Sequence, residues 1–383
     1  MPMLRFLTAG ESHGKSLTAI IDGVPSNLQV KADYINAHLK RRQLGYGRGD
    51  RMAIEADKAE ITGGVRGGKT MGGPVSLVIN NKDWNNWQKA MDAEEIAEAE
   101  KLSRPRPGHA DLSGMLKYNV NDARNVLERA SARETAARVA VGAVARRFLA
   151  EFDISIESCV TGIGTATTDA TIFSSGAGEK ADKSPVRCLD ANAESAMIKE
   201  IDKAADAGDT LGGTFEVVVF GLPAGIGSYS QWDTRLDARI AKAVASIPAI
   251  KGVEFGDGFA LAQRFGSEAQ DEIFYEPGRG YFRKTNRAGG LEAGMTNGSP
   301  VRIRAAMKPI PTLKQCLATV DVSTKKPAKA IHERSDVCAV PAASVIGEAV
   351  VAIEVMEAML EKFGGDCMDD IMVSYRAYLE RIS

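Results

Sequence analysis

The spacing of apolar and polar residues predicts both strands and helices in this chain. Three apolar, β-branched runs that follow Gly-rich turns predict strands at 76–80, 215–220 and 301–306. Longer segments with helical spacing predict helices at 31–43, 134–152, 193–207, 234–246, 343–363 and 367–381. The stretch 164–185 is rich in Thr, Ser, Gly and Ala, which is typical of a surface loop.

Two of these helices are expected to lie between layers. The charges of segment 343–363 leave a wide apolar surface, and residues 136–148 are mostly Ala and Val. A helix that is apolar around most of its circumference is buried on several sides. Strands and helices do not alternate in the short rhythm of a Rossmann sheet. The pattern therefore predicts an α+β fold, a layered sandwich with buried helices.

A weak internal repeat accompanies this pattern. The motif G-x-T-[ML]-G-G occurs at 68–73 and again at 208–213, and a strand-like run follows it both times. A duplicated α+β unit would explain the repeat. Chance similarity between two Gly-rich turns is the competing explanation.

The composition of the chain disfavours some classes of protein function, among them general nucleic-acid binding. The chain has 383 residues, with 44% hydrophobic and 26% charged residues, as is ordinary for a globular protein. Its net charge of −2 argues against a general nucleic-acid or membrane-surface binder. The five cysteines are scattered without a CxxC pair, so neither a disulfide framework nor a metal site is expected. No secretion signal or membrane-spanning stretch is evident, and we expect a cytoplasmic protein.

Residues 128–139, ERASARETAARV, carry unusual chemistry for the start of an apolar helix. Three arginines and two hydroxyl residues crowd there, namely Arg129, Arg133, Arg138, Ser131 and Thr135. Helix N-termini favour anions, so arginines at this place suggest that an anion lies among them. The alternative is an exposed helix start whose arginines pair with Glu128 and Glu134.

Two histidines lie in loops that suit catalysis. His13 is flanked by glycines in AGESHG, and His109 lies in the basic, proline-stiffened RPRPGHAD. Histidine is the usual acid–base residue near neutral pH. Arginines also recur in Gly-rich or turn segments, for example Arg42 and Arg48 in RRQLGYGRGDR. In a nearly neutral chain, such local concentrations indicate a site for a compact polyanion.

Two other function classes are disfavoured. A small-molecule kinase would need an ATP loop, but no GxxxxGK[ST] motif occurs. An RNA-binding module would place aromatic residues beside its arginines, yet aromatics make up only 6% of the chain.

Seven segments together resemble one known family, the chorismate synthases. They are spread over almost the whole chain in the family's order: AGESHG (9–14), RRQLGYGRG (41–49), RPRPGHAD (104–111), ERASARETAARV (128–139), TNRAGGLEAGMTNG (285–298), AAMKPIPT (305–312) and HERSDVCAVPA (332–342). The resemblance implies a β-α-β sandwich with long helices buried between antiparallel sheets. It also implies one domain over 1–383 with two related halves, roughly 1–150 and 151–383, and a homotetramer.

The resemblance further implies a reaction of the shikimate pathway. 5-Enolpyruvylshikimate 3-phosphate, a small-molecule substrate, would lose phosphate and a ring hydrogen by 1,4-anti-elimination to give chorismate. The family requires reduced FMN although no net redox change occurs. NADPH is implied only as a source of electrons for the flavin, and the sequence leaves open whether this chain reduces flavin itself.

Roles for individual residues follow from the same resemblance. His13 would protonate the departing phosphate, His109 would keep the reduced flavin correctly protonated, and Asp336 would help to relay the ring proton through flavin N5. Ser12 and Ser131 would hydrogen-bond within these relays. The substrate anions would be bound by Arg42, Arg48, Arg133 and Arg334.

The resemblance also maps a flavin-binding set. Its members here are Arg129, Ala130, Ser131, Pro248, Ala249, Ala293, Lys308, Pro309, Ile310, Pro311, Thr312 and Arg334. Arg42 and Arg48 correspond to the family's NADP-linked positions. One departure is visible, because Pro248 stands where relatives often have Gln, so a side-chain amide is lost.

Overall fold

The computed structural model describes residues 4–49, 56–96, 101–172, 174–331, 333 and 335–382. Its helices are α1 (Ala32–Gln43), α2 (Trp84–Trp87), α3 (Asp111–Tyr118), α4 (Arg124–Ala130), α5 (Thr135–Ala150), α6 (Ala177–Ala181), α7 (Ala191–Asp206), α8 (Leu236–Ala245), α9 (Gly266–Ala269), α10 (Val340–Phe363) and α11 (Met368–Ile382). Short 3₁₀ turns lie at Ala132–Glu134, Trp232–Thr234 and Gly258–Gln263. The strands are β1 (Arg5–Ala9), β2 (Ser16–Asp22), β3 (Ala59–Gly63), β4 (Val65–Arg66), β5 (Lys69–Thr70), β6 (Val75–Asn80), β7 (Ser155–Ile163), β8 (Ala166–Thr167), β9 (Gly213–Phe220), β10 (Ile250–Phe255), β11 (Ile273–Glu276), β12 (Gly280–Arg283), β13 (Leu291–Glu292), β14 (Met295–Thr296), β15 (Val301–Met307), β16 (Ala318–Val320) and β17 (Pro327–Lys329).

Two antiparallel sheets form the outer layers of the described chain. The first has the strand order β1-β2-β6-β3, and the second has the order β10-β15-β9-β7-β8. Strands β2, β6 and β15 alternate in burial, as expected for a sheet with one face on a core, whereas most of β7 and β9 is buried on both faces. Short hairpins, such as β11–β12, extend from this framework.

The two sheets share one topology. When only the strands of these two sheets other than β8 and the helices α1, α5, α8 and α10 are counted, each half runs strand-strand-helix-strand-strand-helix, and its first, second, fourth and third strands are neighbours in that order. The helix after the second strand is α1 or α8, and the helix after the fourth strand is α5 or α10. The pseudo-duplicated fold is thereby confirmed, whereas the bounds of the halves as domains stay a prediction.

The G-x-T-[ML]-G-G repeat is not a remnant of this duplication. Its first copy leads into β6, the fourth strand of the first sheet, but its second copy leads into β9, the second strand of the other sheet. The two turns therefore occupy non-equivalent positions, so chance similarity explains them.

The long helices fill the space between the sheets, as predicted. Helices α5 and α10 pack against each other, α1 and α8 flank them, and strands of both sheets cover this layer. A Cβ atom added to Gly142 would lie 2.4 Å from the Cβ of Ala349, so glycine permits the close approach of α5 and α10. Within the described residues, no helix is long and apolar enough to cross a membrane.

A buried ion cluster interrupts the apolar packing of this layer. Glu348 of α10 accepts two hydrogen bonds from Arg41, at 2.7 and 2.9 Å, and pairs with Arg146 at 3.0 Å and Arg187 at 3.2 Å. Their charges outweigh the effect of burial, so the pKa of Glu348 lies well below its usual range. The cluster ties α1, α5 and α10 together.

The sequence prediction of a surface loop at 164–185 is partly wrong. The segment contains β8 and α6 and buries Ile172 and Ala181 against Cys159 and Val218. It thus covers the face of the second sheet that points away from the helices. The six predicted helices and three predicted strands all form, with ends shifted by at most three residues.

Candidate active site

A cavity of about 470 Å³ is lined by residues from both halves of the chain, most of them in loops. The N-terminal half contributes residues near 12–13, 42–49, 106–110 and 127–133, and the C-terminal half contributes residues near 248–249, 307–312 and 333–339. This volume lies in the range of small-molecule and cofactor sites. The two halves therefore build one site together.

The cavity lining is cationic with an apolar wall. Among the described lining residues, five carry positive charge (Arg42, Arg48, Arg106, Arg133 and Lys308) and two are acidic (Glu333 and Asp336). The apolar wall includes Leu127, Ala130, Met307, Ile310 and Pro311. Such a lining suits a ligand that combines several anionic groups with flat apolar surface.

His13 is held by a buried carboxylate. Its Nδ1 lies 2.8 Å from Oε1 of Glu128, and its backbone N–H donates to Oε2 of the same residue at 2.8 Å. Its ring stacks on Trp87 with centroids 3.9 Å apart. Burial raises the pKa of Glu128, but the hydrogen bonds from His13 and the charge of Arg124 outweigh it, so this pKa lies below its ordinary value. A carboxylate thus faces Nδ1.

His109 has a similar arrangement. Its Nδ1 contacts Oδ1 of the buried Asp111, and Arg106 donates to Oδ2 of Asp111 at 2.8 Å. Arg106 also donates to Oγ1 of Thr312 at 2.9 Å. Burial raises the pKa of Asp111, but hydrogen bonds from His109 and Arg106 hold it well below its usual range. The loop carrying His109 is therefore fixed to the 307–312 segment.

Asp57 bridges two arginines of the cavity. Its side chain is fully buried, its Oδ1 lies 2.5 Å from Arg133 Nη1, and its Oδ2 lies 3.3 Å from Arg42 Nη1. Arg133 also donates to Asn81, and Arg42 to Thr135. Burial, above all, lowers the pKa of Arg42 to about 10. The sequence predicted an anion among the arginines of 128–139, and for Arg133 the carboxylate of Asp57 is such an anion.

Asp336 joins two loops at the cavity. Its Oδ1 accepts a hydrogen bond from the backbone N–H of Gly49 at 2.7 Å, and its Oδ2 lies 3.3 Å from Arg48 Nη1. On the opposite part of the lining, Lys308 donates to the carbonyl of Gly108 at 2.8 Å. Burial and, secondarily, the charge of Lys251 lower the pKa of Lys308.

Most of the residues predicted from the sequence line this cavity. They are Ser12, His13, Arg42, Arg48, His109, Ala130, Ser131, Arg133, Pro248, Ala249, Lys308, Ile310, Pro311, Thr312 and Asp336. Ser12 and Ser131 lie in contact, with their Oγ atoms 3.1 Å apart. Ala249 has a φ of 70°, a strained conformation for a residue with a side chain. Arg334 and His332 lie outside the described residues.

Three predicted flavin residues are not among the lining residues. The guanidinium of Arg129 is turned to the carbonyls of Thr8 and Gly10, at 2.9 and 3.2 Å, because these carbonyls satisfy its donors. Ala293 lies in the turn between β13 and β14, with a φ of 48°. Pro309 lies between two residues that do line the cavity.

Several site residues were missed by sequence reasoning. Trp87 lines the cavity, while Asp111 and Asp57 hold His109 and two of the cavity arginines. Glu128 was expected only as a partner of the helix-start arginines and not of His13. Asp111 could have been found, since it follows His109 by two residues. The contacts of Asp57 and Trp87 join distant segments, so no local spacing signals them.

Comparisons with known proteins identify the family of the chain. A family model described as Chorismate synthase matches residues 4–360. The chain is 57% identical to the chorismate synthase of Syntrophotalea carbinolica, with 100% of this chain and 99% of the relative aligned. It is 55% identical to the chorismate synthase of Nocardia farcinica, with 100% of this chain and 96% of the relative aligned.

A solved structure agrees as well. It is described as a crystal structure of chorismate synthase, is 44% identical, and superposes with a TM-score of 0.80 over 99% of this chain and 98% of the other. Sequence and fold are thus similar over nearly the whole chain. The chain belongs to the chorismate synthase family.

Proposed function

We propose that this protein catalyses the 1,4-anti-elimination of phosphate from 5-enolpyruvylshikimate 3-phosphate to give chorismate, with reduced FMN as cofactor. The observation that carries the proposal is the convergence of two carboxylate-held histidines on one cationic cavity. The reaction breaks a C–O bond and a C–H bond of the substrate ring. The site must therefore bind anions, protonate the departing phosphate and remove a ring proton.

The cationic side chains serve the binding step. The substrate carries two carboxylates and a phosphate, and guanidinium groups bind such anions through paired hydrogen bonds. Arg42 and Arg133 share the Asp57 carboxylate, which fixes where their guanidiniums lie. Arg48 reaches the cavity from a loop tied to Asp336. Together they place the substrate before any bond breaks.

His13 serves as the general acid. Phosphate leaves more readily when a proton neutralises its developing charge. Glu128 fixes the Nδ1 side of the ring, so proton exchange with the substrate runs through Nε2. The contact between Ser12 and Ser131 holds the loop of His13 against the end of α4.

The lining fits a flavin mononucleotide. Its apolar wall suits a flat ring system, and Lys308 and Thr312 offer polar groups for an anion. Ala130, Ser131, Pro248, Ala249 and 308–312 would hold the cofactor. When bound, reduced FMN supplies electron density to the breaking C–O bond and recovers it afterwards.

His109 and Asp336 complete the proton chemistry. His109, positioned by Asp111, would keep the reduced flavin in the correct protonation state when the cofactor is bound. Asp336 is a carboxylate that accepts a hydrogen bond from Gly49 and takes part in moving the ring proton out of the site. We further propose a cytoplasmic homotetramer in which NADPH acts only as a source of electrons for the flavin.

An anaerobic assay tests the proposal. Purified protein, chemically reduced FMN and 5-enolpyruvylshikimate 3-phosphate should yield equal amounts of phosphate and chorismate, with a transient change in flavin absorbance. A parallel aerobic assay with NADPH and oxidised FMN reports whether the protein reduces flavin itself. Phosphate release without chorismate, or no turnover under strictly reducing conditions, would refute the proposed reaction.

A further inference from the structure

The contacts around His13 define the task of Glu128 more closely than its place beside Nδ1 alone. We propose that Glu128 is a positioning residue that fixes the Nδ1–H tautomer of His13, so that Nε2 is the nitrogen that exchanges protons with the bound molecule. The inference rests on the proposed function only for the identity of that molecule. Its structural part can be tested in the absence of any ligand.

Both oxygens of Glu128 are engaged by donors. Oε2 accepts the backbone N–H of His13 at 2.8 Å, while Oε1 lies 2.8 Å from Nδ1 and 3.2 Å from Arg124 Nη1. The backbone carbonyl of Glu128 accepts the N–H of Ser12 at 3.0 Å. An ionised carboxylate can only accept hydrogen bonds, so Nδ1 must be the donor.

The plane of the ring is fixed as well. Trp87 stacks on His13 with an angle of 27° between the rings, and its own Nε1 donates to Oδ2 of Asp83 at 3.1 Å. Arg124 lies 4.9 Å from the centroid of the Trp87 ring. A ring flip would put Cδ2 in the place of Nδ1, so the contact with Glu128 would be lost, and the stacked Trp87 hinders the rotation.

Anchoring the loop that carries His13 does not by itself require a charged side chain such as that of Glu128. A buried carboxylate is costly unless several donors compensate it, and a neutral glutamine could also hold the backbone of the loop. Glutamine, however, has one acceptor and one donor group. If its oxygen accepts the N–H of His13, its amide group faces Nδ1 and favours the opposite tautomer. A carboxylate is therefore the group that allows both contacts while Nδ1 carries a proton.

The direct test is nitrogen NMR of protein with ¹⁵N-labelled histidine, without ligands. The His13 signals are assigned from their loss in His13→Ala. At a pH where the ring is neutral, we expect the Nδ1–H form in the native protein and in Glu128→Asp, and the Nε2–H form in Glu128→Gln. Glu134→Gln is a matched control, because Glu134 is also a buried glutamate paired with an arginine but contacts Arg138 instead of a histidine. It should leave the His13 signals unchanged.

Turnover separates positioning from simple loop anchoring. Glu128→Gln should lower kcat by about 10²- to 10⁴-fold with little change in KM, the size seen when a catalytic histidine is held in the wrong tautomer. In a His13→Ala background, the same change should cost at most about twofold, since residues that act as a unit are not additive. Glu128→Asp, which keeps two accepting oxygens, should recover part of the loss.

The outcomes are distinct. An unchanged tautomer in Glu128→Gln, or an equal loss of turnover with and without His13, would overturn the positioning role. A switched tautomer with native turnover would overturn it too. If Glu128→Gln fails to fold, an Nε2–H form in Glu128→Asp would overturn it. If the native protein makes no chorismate while the tautomer switches as expected, the proposed function fails and the structural assignment of Glu128 stands.

Discussion

Replacing Asp57 by asparagine should destabilise the protein and loosen the substrate site at once. The amide is nearly isosteric with the carboxylate but carries no charge. The side chain of Asp57 is fully buried, and it contacts Arg133 at 2.5 Å and Arg42 at 3.3 Å, both of them buried. The substitution therefore leaves two buried guanidiniums without their shared carboxylate.

The expected cost follows from this burial. Removing one partner of a buried ion pair costs about 3–5 kcal/mol in the free energy of unfolding. The pKa of Arg42, lowered to about 10 although Asp57 is present, shows how strongly this environment disfavours the guanidinium charge. The amide oxygen that the substitution introduces can still accept one hydrogen bond, so we expect the lower end of this range.

Urea unfolding of the native protein, Asp57→Asn and a matched surface variant measures the effect. Asp22→Asn makes the same chemical change in an exposed pair, since Asp22 contacts Arg5 at 2.9 Å with side chains 46% and 69% exposed. An exposed pair contributes about 0–1 kcal/mol. If Asp57→Asn shifts the unfolding free energy no more than Asp22→Asn does, Asp57 does not hold the cavity arginines as argued. The KM for substrate should also rise in Asp57→Asn but not in Asp22→Asn.

Three further predictions concern single residues. His13→Ala should lower turnover by about 10²- to 10⁴-fold, while the affinity for FMN, measured by flavin fluorescence, stays near the native value. Near-normal turnover of this variant at saturating substrate would show that His13 is not the general acid. Arg48→Ala should weaken substrate binding, measured by calorimetry, by about 1.5–3 kcal/mol. Arg48→Lys should recover only part of this loss, because an ammonium group cannot form the paired hydrogen bonds of a guanidinium. If Arg48→Lys binds substrate as tightly as the native protein, Arg48 contributes only a general positive charge. Burial and, secondarily, the charges of Arg146 and Arg41 lower the pKa of His38 from 6.5 to about 3. As the pH falls below 6.5, His38 is therefore protonated in the unfolded chain but stays neutral in the folded protein. His38→Gln should therefore reduce the loss of unfolding free energy between pH 8 and pH 5 by about 2 kcal/mol, and an unchanged pH dependence in urea unfolding would contradict this.

The fold was predictable where the residue pattern of a single element is strong enough to define its environment. Helix α10 has so much apolar surface that its place between the layers follows from its sequence alone. Strand β7 was missed because its outer face is covered by the segment 164–189 and carries Glu157, which accepts backbone hydrogen bonds from Gly176 and Gly178. Strand β9 also contains a glutamate, Glu216, but the apolar run VVVF follows it, and β7 has no comparable run. The tertiary partner that satisfies Glu157 is not visible in the sequence.

The site shows the same division between local and long-range information. Glycines and prolines around His13 and His109 mark loops that can approach a ligand, and the arginines mark an anion site, so these residues are readable from the sequence. The sequence does not indicate which carboxylates pair with these histidines and arginines. Asp57 and Arg133 lie 76 positions apart, and Glu128 and His13 lie 115 apart. Their charges compensate each other only after the first sheet, α1 and the start of α5 are in place. A buried carboxylate is tolerable only when its donors are already positioned. The assembly of these pairs is thus a consequence of the fold, and it is the fold that converts a scatter of arginines and histidines into a site with defined proton donors.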